Sequence, residues 1–254
     1  MGNSNRKKSK PTKPVQPTTS ATPNYNTQAN QGAKPSKTSS QSNNSTPRST
    51  KTPESTFSDK RLESIFNKYK DEEDAIGPNG IENFCKDIGV NPDDVVMLVL
   101  AYHLDATEMG YFYKDEFLTG FKKLGCDSVE KIKEKMPKLR DELSEPELFK
   151  NIYRFVFTFA KEAEQKCLDM DMAIGMLDII LAPRYPLAKS FVAYLKEQDS
   201  YKGLNGDQWA SLLEFCKTIK EDFSNYDENG AWPTILDEWV SWATKKEDAS
   251  EAST

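Results

Sequence analysis

From Ser58 to near the C-terminus, apolar side chains recur every three or four residues, the spacing of one helix face. The first set follows a helix-start signal at Ser58 and consists of Leu62, Ile65, Phe66 and Tyr69. No segment alternates polar and apolar residues between turn signals, which argues against a sheet. The pattern therefore predicts an all-α fold.

The same periodicity, interrupted by turn signals, predicts the later helices. A turn at residues 77–80 precedes the second helix, and Asn91-Pro92-Asp93-Asp94 predicts a helix with Pro92 in its first position. The stretch from Val95 to Leu104 is apolar almost all round, so we expect it to be buried. Further helices are predicted near residues 114–123, 128–142, 145–161, 171–182, 186–197, 206–221 and 233–245. They would form two packed helical sub-bundles that meet near residues 140–150.

The first 57 residues have a different composition. They are rich in Ser, Thr, Pro, Asn, Gln and Lys and almost lack large apolar side chains. Such a segment buries too little surface to offset the entropy lost on ordering. We therefore predict a disordered tail at 1–57, an all-helical domain at 58–245 and a flexible C-terminal tail at 246–254.

The sign of the net charge changes at the same boundary. The tail at 1–57 holds nine Lys or Arg residues and one acid, Glu54, for a net charge of +8. The remaining residues carry 25 basic and 39 acidic side chains, for a net charge of −14. An acidic body repels nucleic acid and attracts basic protein surfaces. We therefore expect protein partners and no nucleic acid.

Cysteine usage indicates the compartment. The four cysteines lie more than 40 positions apart, which fits neither a metal motif nor a dense disulfide framework; they are Cys85, Cys126, Cys167 and Cys216. Scattered thiols and no apolar leader indicate a reducing, intracellular location in cytoplasm and nucleus. No run reaches the roughly 18 apolar residues of a membrane span.

The N-terminus carries a partial lipidation signal. Removal of Met1 would expose Gly2, and a basic run follows at residues 6–8, as in myristoylated proteins. The motif requires Ser or Thr at position 6, where this chain has Arg6. Membrane association is expected only if Gly2 is lipidated, and a solvated basic tail is the alternative.

The sequence offers little for catalysis. It contains no GxGxxG, GxxxxGK[ST] or HExxH motif. A base for a Ser or Cys nucleophile would have to be His103, the one histidine, whose apolar neighbours favour a structural role. A cysteine-dependent enzyme stays an alternative, although all four thiols sit in apolar patterns. We predict no catalytic residue, metal ligand or cofactor.

One segment resembles the calcium loop of an EF-hand. Such a loop needs oxygen ligands at positions 1, 3, 5 and 12 and Gly at position 6. In residues 105–116, Gly110 and Glu116 occupy positions 6 and 12, but position 5 is Met109, which has no hard oxygen.

Two further segments match less well. Residues 225–236 begin with suitable ligands but end on Leu236, and residues 74–85 place Pro78 at position 5. All three look like degenerate EF-hand-like helix–loop–helix units without the ligand set. A calcium-sensing regulatory protein is therefore a less favoured alternative.

Three segments together are distinctive. They read GCDSVEK at 125–131, FTFAK at 157–161 followed by LDMDMAI at 168–174, and SNYDENGAWP at 224–233. They resemble the defective-in-cullin-neddylation family over about residues 58–245, and the last segment is the most specific.

This resemblance implies a function. Family members are scaffold-type ligases that bind the winged-helix C-terminal region of a cullin and the acetylated N-terminus of the neddylation conjugating enzyme. They meet the RING subunit of the cullin ligase indirectly. Transfer is promoted by proximity and orientation, which needs no catalytic residue in the scaffold. A passive cullin-binding adaptor is an alternative, and the sequence barely distinguishes it from a co-ligase.

The resemblance also implies two sites. The cullin patch of the family corresponds to Asp207, Ala231 and Asp237. A pocket for the acetylated methionine corresponds to nine apolar residues, namely Ile81, Met97, Leu100, Ala101, Met109, Phe112, Phe159, Met176 and Ile179. Without the resemblance, the two aspartates would be read as solvated or as complementing helix N-termini, and the apolar residues as core.

This chain departs from some family members. Relatives can carry Gln at the position of Met109 and Tyr at that of Met176, which affects hydrogen bonding in the pocket. Some members have an N-terminal ubiquitin-associated domain, whereas residues 1–57 lack the apolar residues to fold as one. Others have a lipidated Gly2.

Overall fold

A computed structural model describes residues 56–251, with side chains described up to residue 246. The predicted tail through residue 55, including Gly2 and its lipidation, lies outside the described residues, as do residues 252–254. Within the described part, no helix has the length and apolar character needed to cross a membrane.

The first sub-bundle contains five helices and two short strands. They are α1 (Asp59–Tyr69), β1 (Ala75–Ile76), α2 (Pro78–Ile88), α3 (Val95–His103), β2 (Phe112–Tyr113), α4 (Lys114–Leu124) and α5 (Val129–Asp141).

The second sub-bundle follows a 3₁₀ turn at Glu142–Ser144 and also contains five helices and two short strands. They are α6 (Pro146–Ala160), β3 (Cys167–Asp169), α7 (Met170–Ile180), α8 (Pro186–Glu197), β4 (Gly203–Asn205), α9 (Gly206–Thr218) and α10 (Thr234–Glu251). The turn lies where the sequence predicted the sub-bundles to meet. The all-α prediction is thus confirmed for the described residues, and α10 continues six residues beyond its predicted end at 245.

Each sub-bundle contains two helix–loop–helix units joined through their loops. β1 pairs with β2 in antiparallel fashion, with Ile76 opposite Phe112. β3 pairs with β4, with Leu168 opposite Leu204. The sequence argued against any sheet, and it missed these because strands of two or three residues are too short to show alternation.

Proline and cap residues set several helix starts as predicted. Pro146 and Pro186 occupy first-turn positions of α6 and α8. Ser58 caps α1, and its hydroxyl accepts a hydrogen bond from the Arg61 N–H. Proline suits the first turn because it lacks an N–H that would have no helical partner there.

The predicted start of α3 is wrong. Pro92 lies in a turn in which the Asp94 N–H donates to the Asn91 carbonyl at 3.0 Å. The helix begins at Val95, and the Asp94 carboxylate caps it by accepting from the Val96 N–H at 2.9 Å. A side-chain cap at Asp94 satisfies an exposed N–H, and this outweighs the preference of proline for a first turn.

Helix α3 connects the sub-bundles, because it packs against α5 on one side and α6 on the other. Its residues Val96, Val99 and Leu100 are fully buried, as expected for a helix that is apolar all round. At its end, His103 Nε2 lies 2.6 Å from Glu142 Oε2 in the 3₁₀ turn. His103 therefore makes a contact at the junction, which is a structural role.

Asp127 fixes the start of α5 against the start of α1. It is the one buried charged residue of the described part. Its carboxylate accepts hydrogen bonds from the Ser58 N–H and Lys131 Nζ, each at 2.7 Å, and from the Arg61 guanidinium. These contacts satisfy the carboxylate, and burying it without them would cost several kcal/mol.

We expect Asp127→Asn to destabilise the protein by about 2–4 kcal/mol at pH 7, because an amide cannot serve three donors and leaves two cations unpaired. The Lys131 ammonium, opposed by burial and helped by Arg61, lowers the pKa of Asp127 to about 2. A lowered folded-state pKa means that the unfolded chain binds more protons in acid. The stabilisation is therefore full above pH 4 and disappears towards pH 2.

Urea unfolding of both proteins at pH 7, 4 and 3 measures this effect. Asp59→Asn is the control, because Asp59 is exposed at the start of α1, the helix that Asp127 holds against α5, and its ion pair is with Lys122. A cost for Asp127→Asn that stays constant down to pH 3, or that Asp59→Asn matches, would contradict this assignment.

Two candidate binding surfaces

An open, apolar cavity of about 390 Å³ lies between α2, α3 and loop residues of the first sub-bundle on one side and α6 and α7 on the other. This volume is within the ~300–1,000 Å³ range of pockets that bury a small ligand. Its walls are almost entirely apolar and consist of Pro78, Ile81, Pro92, Met97, Leu98, Ala101, Met109, Gly110, Tyr111, Phe112, Phe159 and Met172.

Six of the nine residues predicted for the methionine pocket line this cavity, namely Ile81, Met97, Ala101, Met109, Phe112 and Phe159. Three do not. Leu100 and Met176 are buried in the core, and Ile179 is half-buried against it. The sequence alone could not distinguish the six residues that line the cavity from the three that do not. Apolar residues surround α3 and cover most of α7, so helical periodicity does not show which face points to the cavity.

Sequence reasoning missed the rest of the wall. Pro78 and Pro92 were read only as turn or helix-start signals. Met172 was seen only as part of a family-like segment, yet its side chain is 37% exposed at the cavity. An exposed methionine in an apolar segment was the available signal, because methionine adapts to varied apolar ligands.

Two carboxylates hold the loops that form the cavity. Glu116 accepts from the Thr107 N–H at 3.0 Å and from the Tyr113 N–H at 3.1 Å, and so closes the loop that carries Met109. Asp71 accepts from the N–H groups of Gly77 and Gly80 at the start of α2. The cavity walls are therefore fixed by side-chain bonds to loop backbone.

In the calcium-like loops, side chains at the ligand positions are likewise bonded to groups of the protein itself. Glu116, at the last ligand position of the loop 105–116, is occupied with backbone donors, and Asp105 at the first position pairs with Lys123 Nζ at 2.6 Å. Asn225, the first residue of the loop 225–236, accepts from the Lys220 N–H. Across residues 56–251, no group of three or more His, Cys, Asp or Glu side chains is placed to hold a metal ion.

A second opening, a groove of about 180 Å³, is lined by residues of α6 and α9. Ala231 is exposed at this groove, and its neighbours there are Lys150, Tyr153, Arg154, Ala210, Ser211, Leu213, Glu214 and Trp232. Asp207 is exposed in the first turn of α9, and a helical period places it on the same face as Ser211 and Glu214. Asp207 and Ala231 therefore belong to one surface.

Asp237 lies in a separate hollow of about 460 Å³ with Tyr226 and Glu228. The Tyr226 hydroxyl donates to Asp237 Oδ1 at 2.5 Å, so Asp237 is held in place, which excludes the freely solvated reading. Burial and this hydrogen bond raise the pKa of Tyr226, so its hydroxyl stays protonated as a donor. Tyr226 was not singled out as a site residue, although it lies within the segment SNYDENGAWP.

The cysteines differ in exposure. Cys85, Cys126 and Cys216 are buried, and burial raises the pKa of Cys85 to about 11 and of Cys216 to about 12. Such thiols hold their protons at neutral pH and are weak nucleophiles. Cys167 differs from its predicted apolar setting, because it is exposed in β3.

A family comparison covers most of the second sub-bundle. Residues 131–242 match a protein family described as "Cullin binding", and this stretch contains the whole groove as well as Asp207 and Asp237. Most of the apolar cavity precedes residue 131.

Individual relatives match over a longer stretch of the chain. The chain is 48% identical over 188 residues to DCN1-like protein 4 of Drosophila melanogaster, covering 73% of this chain and 75% of the relative. It is 47% identical over 186 residues to human DCN1-like protein 5, covering 73% and 78%. It is 49% identical over 191 residues to DCN1-like protein 4 of Danio rerio, covering 75% and 68%. The chain therefore belongs to the DCN1-like family and carries a cullin-binding domain.

Proposed function

We propose that this protein is a co-ligase that promotes transfer of the neddylation modifier from its conjugating enzyme to a cullin lysine. The observation that carries the proposal is the presence of two open surfaces of different chemistry on one helical domain. One is apolar and concave, and the other combines a small groove with the exposed carboxylate of Asp207 and the half-buried carboxylate of Asp237. Each suits a different partner.

The surface around Asp207, Ala231 and Asp237 would bind the winged-helix C-terminal region of the cullin. Asp207 and Asp237 would accept charge-assisted hydrogen bonds from cullin Arg or Lys side chains. The hydroxyl of Tyr226 holds Asp237 in one orientation, which lowers the entropy lost on binding. Ala231 leaves room for the partner to approach the groove closely.

The apolar cavity would bind the acetylated N-terminal methionine of the conjugating enzyme. Acetylation removes the charge of the terminal amine, which is costly to bury in an apolar site. A methionine side chain adapts to irregular apolar walls, and Met97, Met109 and Met172 line this cavity. Size and chemistry thus support this ligand.

The co-ligase would act without catalytic residues of its own. The conjugating enzyme carries the modifier as a thioester. Holding this enzyme and the cullin on one domain would bring the acceptor lysine close to the thioester. Such positioning is worth up to about 7–11 kcal/mol in well-oriented intramolecular reactions. The RING subunit of the cullin ligase would be met only through the cullin. A passive adaptor needs only the cullin surface, and the apolar cavity favours the co-ligase over it.

A protein with these partners would act in the cytoplasm and nucleus, and it would reach a membrane only if Gly2 is lipidated.

Asp237→Lys and Ala231→Arg are each expected to weaken binding of a cullin C-terminal region by at least about tenfold. The first reverses a charge at the interface, and the second fills the space beside the groove. Calorimetric titration measures the change, with unfolding curves to show that each variant is folded. Glu134→Lys, the same charge change at an exposed site of α5, is the control and should bind normally. Equal binding by all four proteins would remove the cullin assignment.

A peptide with the N-terminal sequence of the conjugating enzyme is expected to bind at least about tenfold more tightly when acetylated than with a free amine. The free ammonium would have to lose its hydration to enter the apolar cavity, which costs free energy. Met109→Asp should reduce binding of the acetylated peptide and leave cullin binding unchanged. Fluorescence anisotropy of labelled peptides measures both effects. If the two peptides bind equally, or if Met109→Asp has no effect, the cavity is not the methionine site.

A further inference from the structure

We infer that Arg154 and the groove between α6 and α9 recognise a carboxylate that lies beside an apolar side chain on the cullin surface. This inference rests on the proposed function and adds an anion-binding element to a surface otherwise described by its acids. It would make Arg154 a specificity-determining residue of the cullin interface.

The size of the groove selects the type of ligand. A volume of about 180 Å³ is below the ~300–1,000 Å³ of small-molecule sites, but it accommodates a single protein side chain. Its apolar lining comes from Tyr153, Leu213, Ala231 and Trp232. Tyr153 is locked by a 2.8 Å hydrogen bond from its hydroxyl to the Trp209 carbonyl, so this part of the groove is rigid.

The charges around the groove leave one cation available. Glu214 is neutralised by Lys150 at 3.0 Å and Lys217 at 3.6 Å, and the Lys150 contact, opposed by burial, lowers the pKa of Glu214. Arg154 is exposed on α6, one helical turn after Lys150, and no acidic side chain of residues 56–246 forms an ion pair with it. A guanidinium presents a planar fork that suits a carboxylate.

The position of Arg154 connects the parts of the cullin surface. Phe157, one turn further along α6, packs on Trp209 and lies within 3.4 Å of the space a Cβ would occupy at Gly206, the neighbour of Asp207. Ala231 lies across the groove from α6. The whole groove also falls inside residues 131–242, the stretch that matches the cullin-binding family. Arg154 is therefore continuous with the surface proposed to bind cullin.

This arrangement has a consequence for specificity. A partner that carries only basic residues would satisfy Asp207 and Asp237 but would meet repulsion at Arg154. A partner with an acid placed between its basic residues would satisfy all three. Alternating charges of this kind fix the register of an interface and reject wrong partners more than they raise affinity.

Calorimetric titration of the cullin C-terminal region into Arg154→Glu tests the inference. We expect binding at least about tenfold weaker than wild type, with an intermediate loss for Arg154→Gln. Lys189→Glu is the matched control, because Lys189 is also exposed within a helix, lines neither the groove nor the cavity, and undergoes the same charge reversal. It should change binding less than about twofold. Urea unfolding of each variant shows that the fold is intact.

A second arm identifies the partner group. Each acidic residue of the cullin region is replaced by lysine in turn, and one replacement should weaken binding to wild type and restore binding to Arg154→Glu. If Arg154→Glu binds like Lys189→Glu, or if no replacement restores binding, the inference is overturned while the proposed function stands. If wild type does not bind the cullin region at all, the proposed function itself fails.

Discussion

A reciprocal pair of hydrogen bonds between Tyr153 and Trp209 determines how α6 and α9 pack, and the surface proposed to bind cullin depends on that packing. The Tyr153 hydroxyl donates to the Trp209 carbonyl at 2.8 Å, and Trp209 Nε1 donates to the Tyr153 carbonyl at 3.0 Å. Their rings stack with centroids 4.7 Å apart. Burial raises the pKa of Tyr153 well above its usual range, so the hydroxyl remains a donor. The walls of the groove, with Arg154 on one side and the face that begins at Asp207 on the other, are held at a fixed separation.

In the remainder of the domain, carboxylates fix the packing. They accept hydrogen bonds from groups that would otherwise lack a partner. Asp127 ties the starts of α1 and α5, Glu116 closes the loop that carries Met109, and Asp71 holds the start of α2. No side-chain polar atom that is buried within the described residues lacks a hydrogen-bond partner. Side chains thus hold these loops and helix starts, which makes the surfaces beside them rigid.

The sequence predicted most of this architecture, because helical periodicity and first-turn prolines such as Pro146 and Pro186 report local energetics directly. The prediction from sequence failed where long-range packing determines a helix start or the orientation of a side chain. Helix α3 begins at Val95 and not at Pro92. Leu100 and Met176 face the core and not the cavity, which the sequence cannot show because apolar residues surround α3 and cover most of α7. Arg154 carried no sequence signal, because an exposed arginine in a helix becomes distinctive only when the other charges around its groove are seen to be paired.

In the proposed function, one domain speeds transfer by holding two partners together. The direct measurement is a single-turnover assay in which the modifier, already joined to the conjugating enzyme as a thioester, is transferred to a cullin with its RING subunit. Wild type should accelerate transfer, and Asp237→Lys and Met109→Asp should each abolish most of the acceleration although each impairs only one site. Acceleration that survives loss of either site, or a wild type that binds both partners without accelerating transfer, would contradict the account.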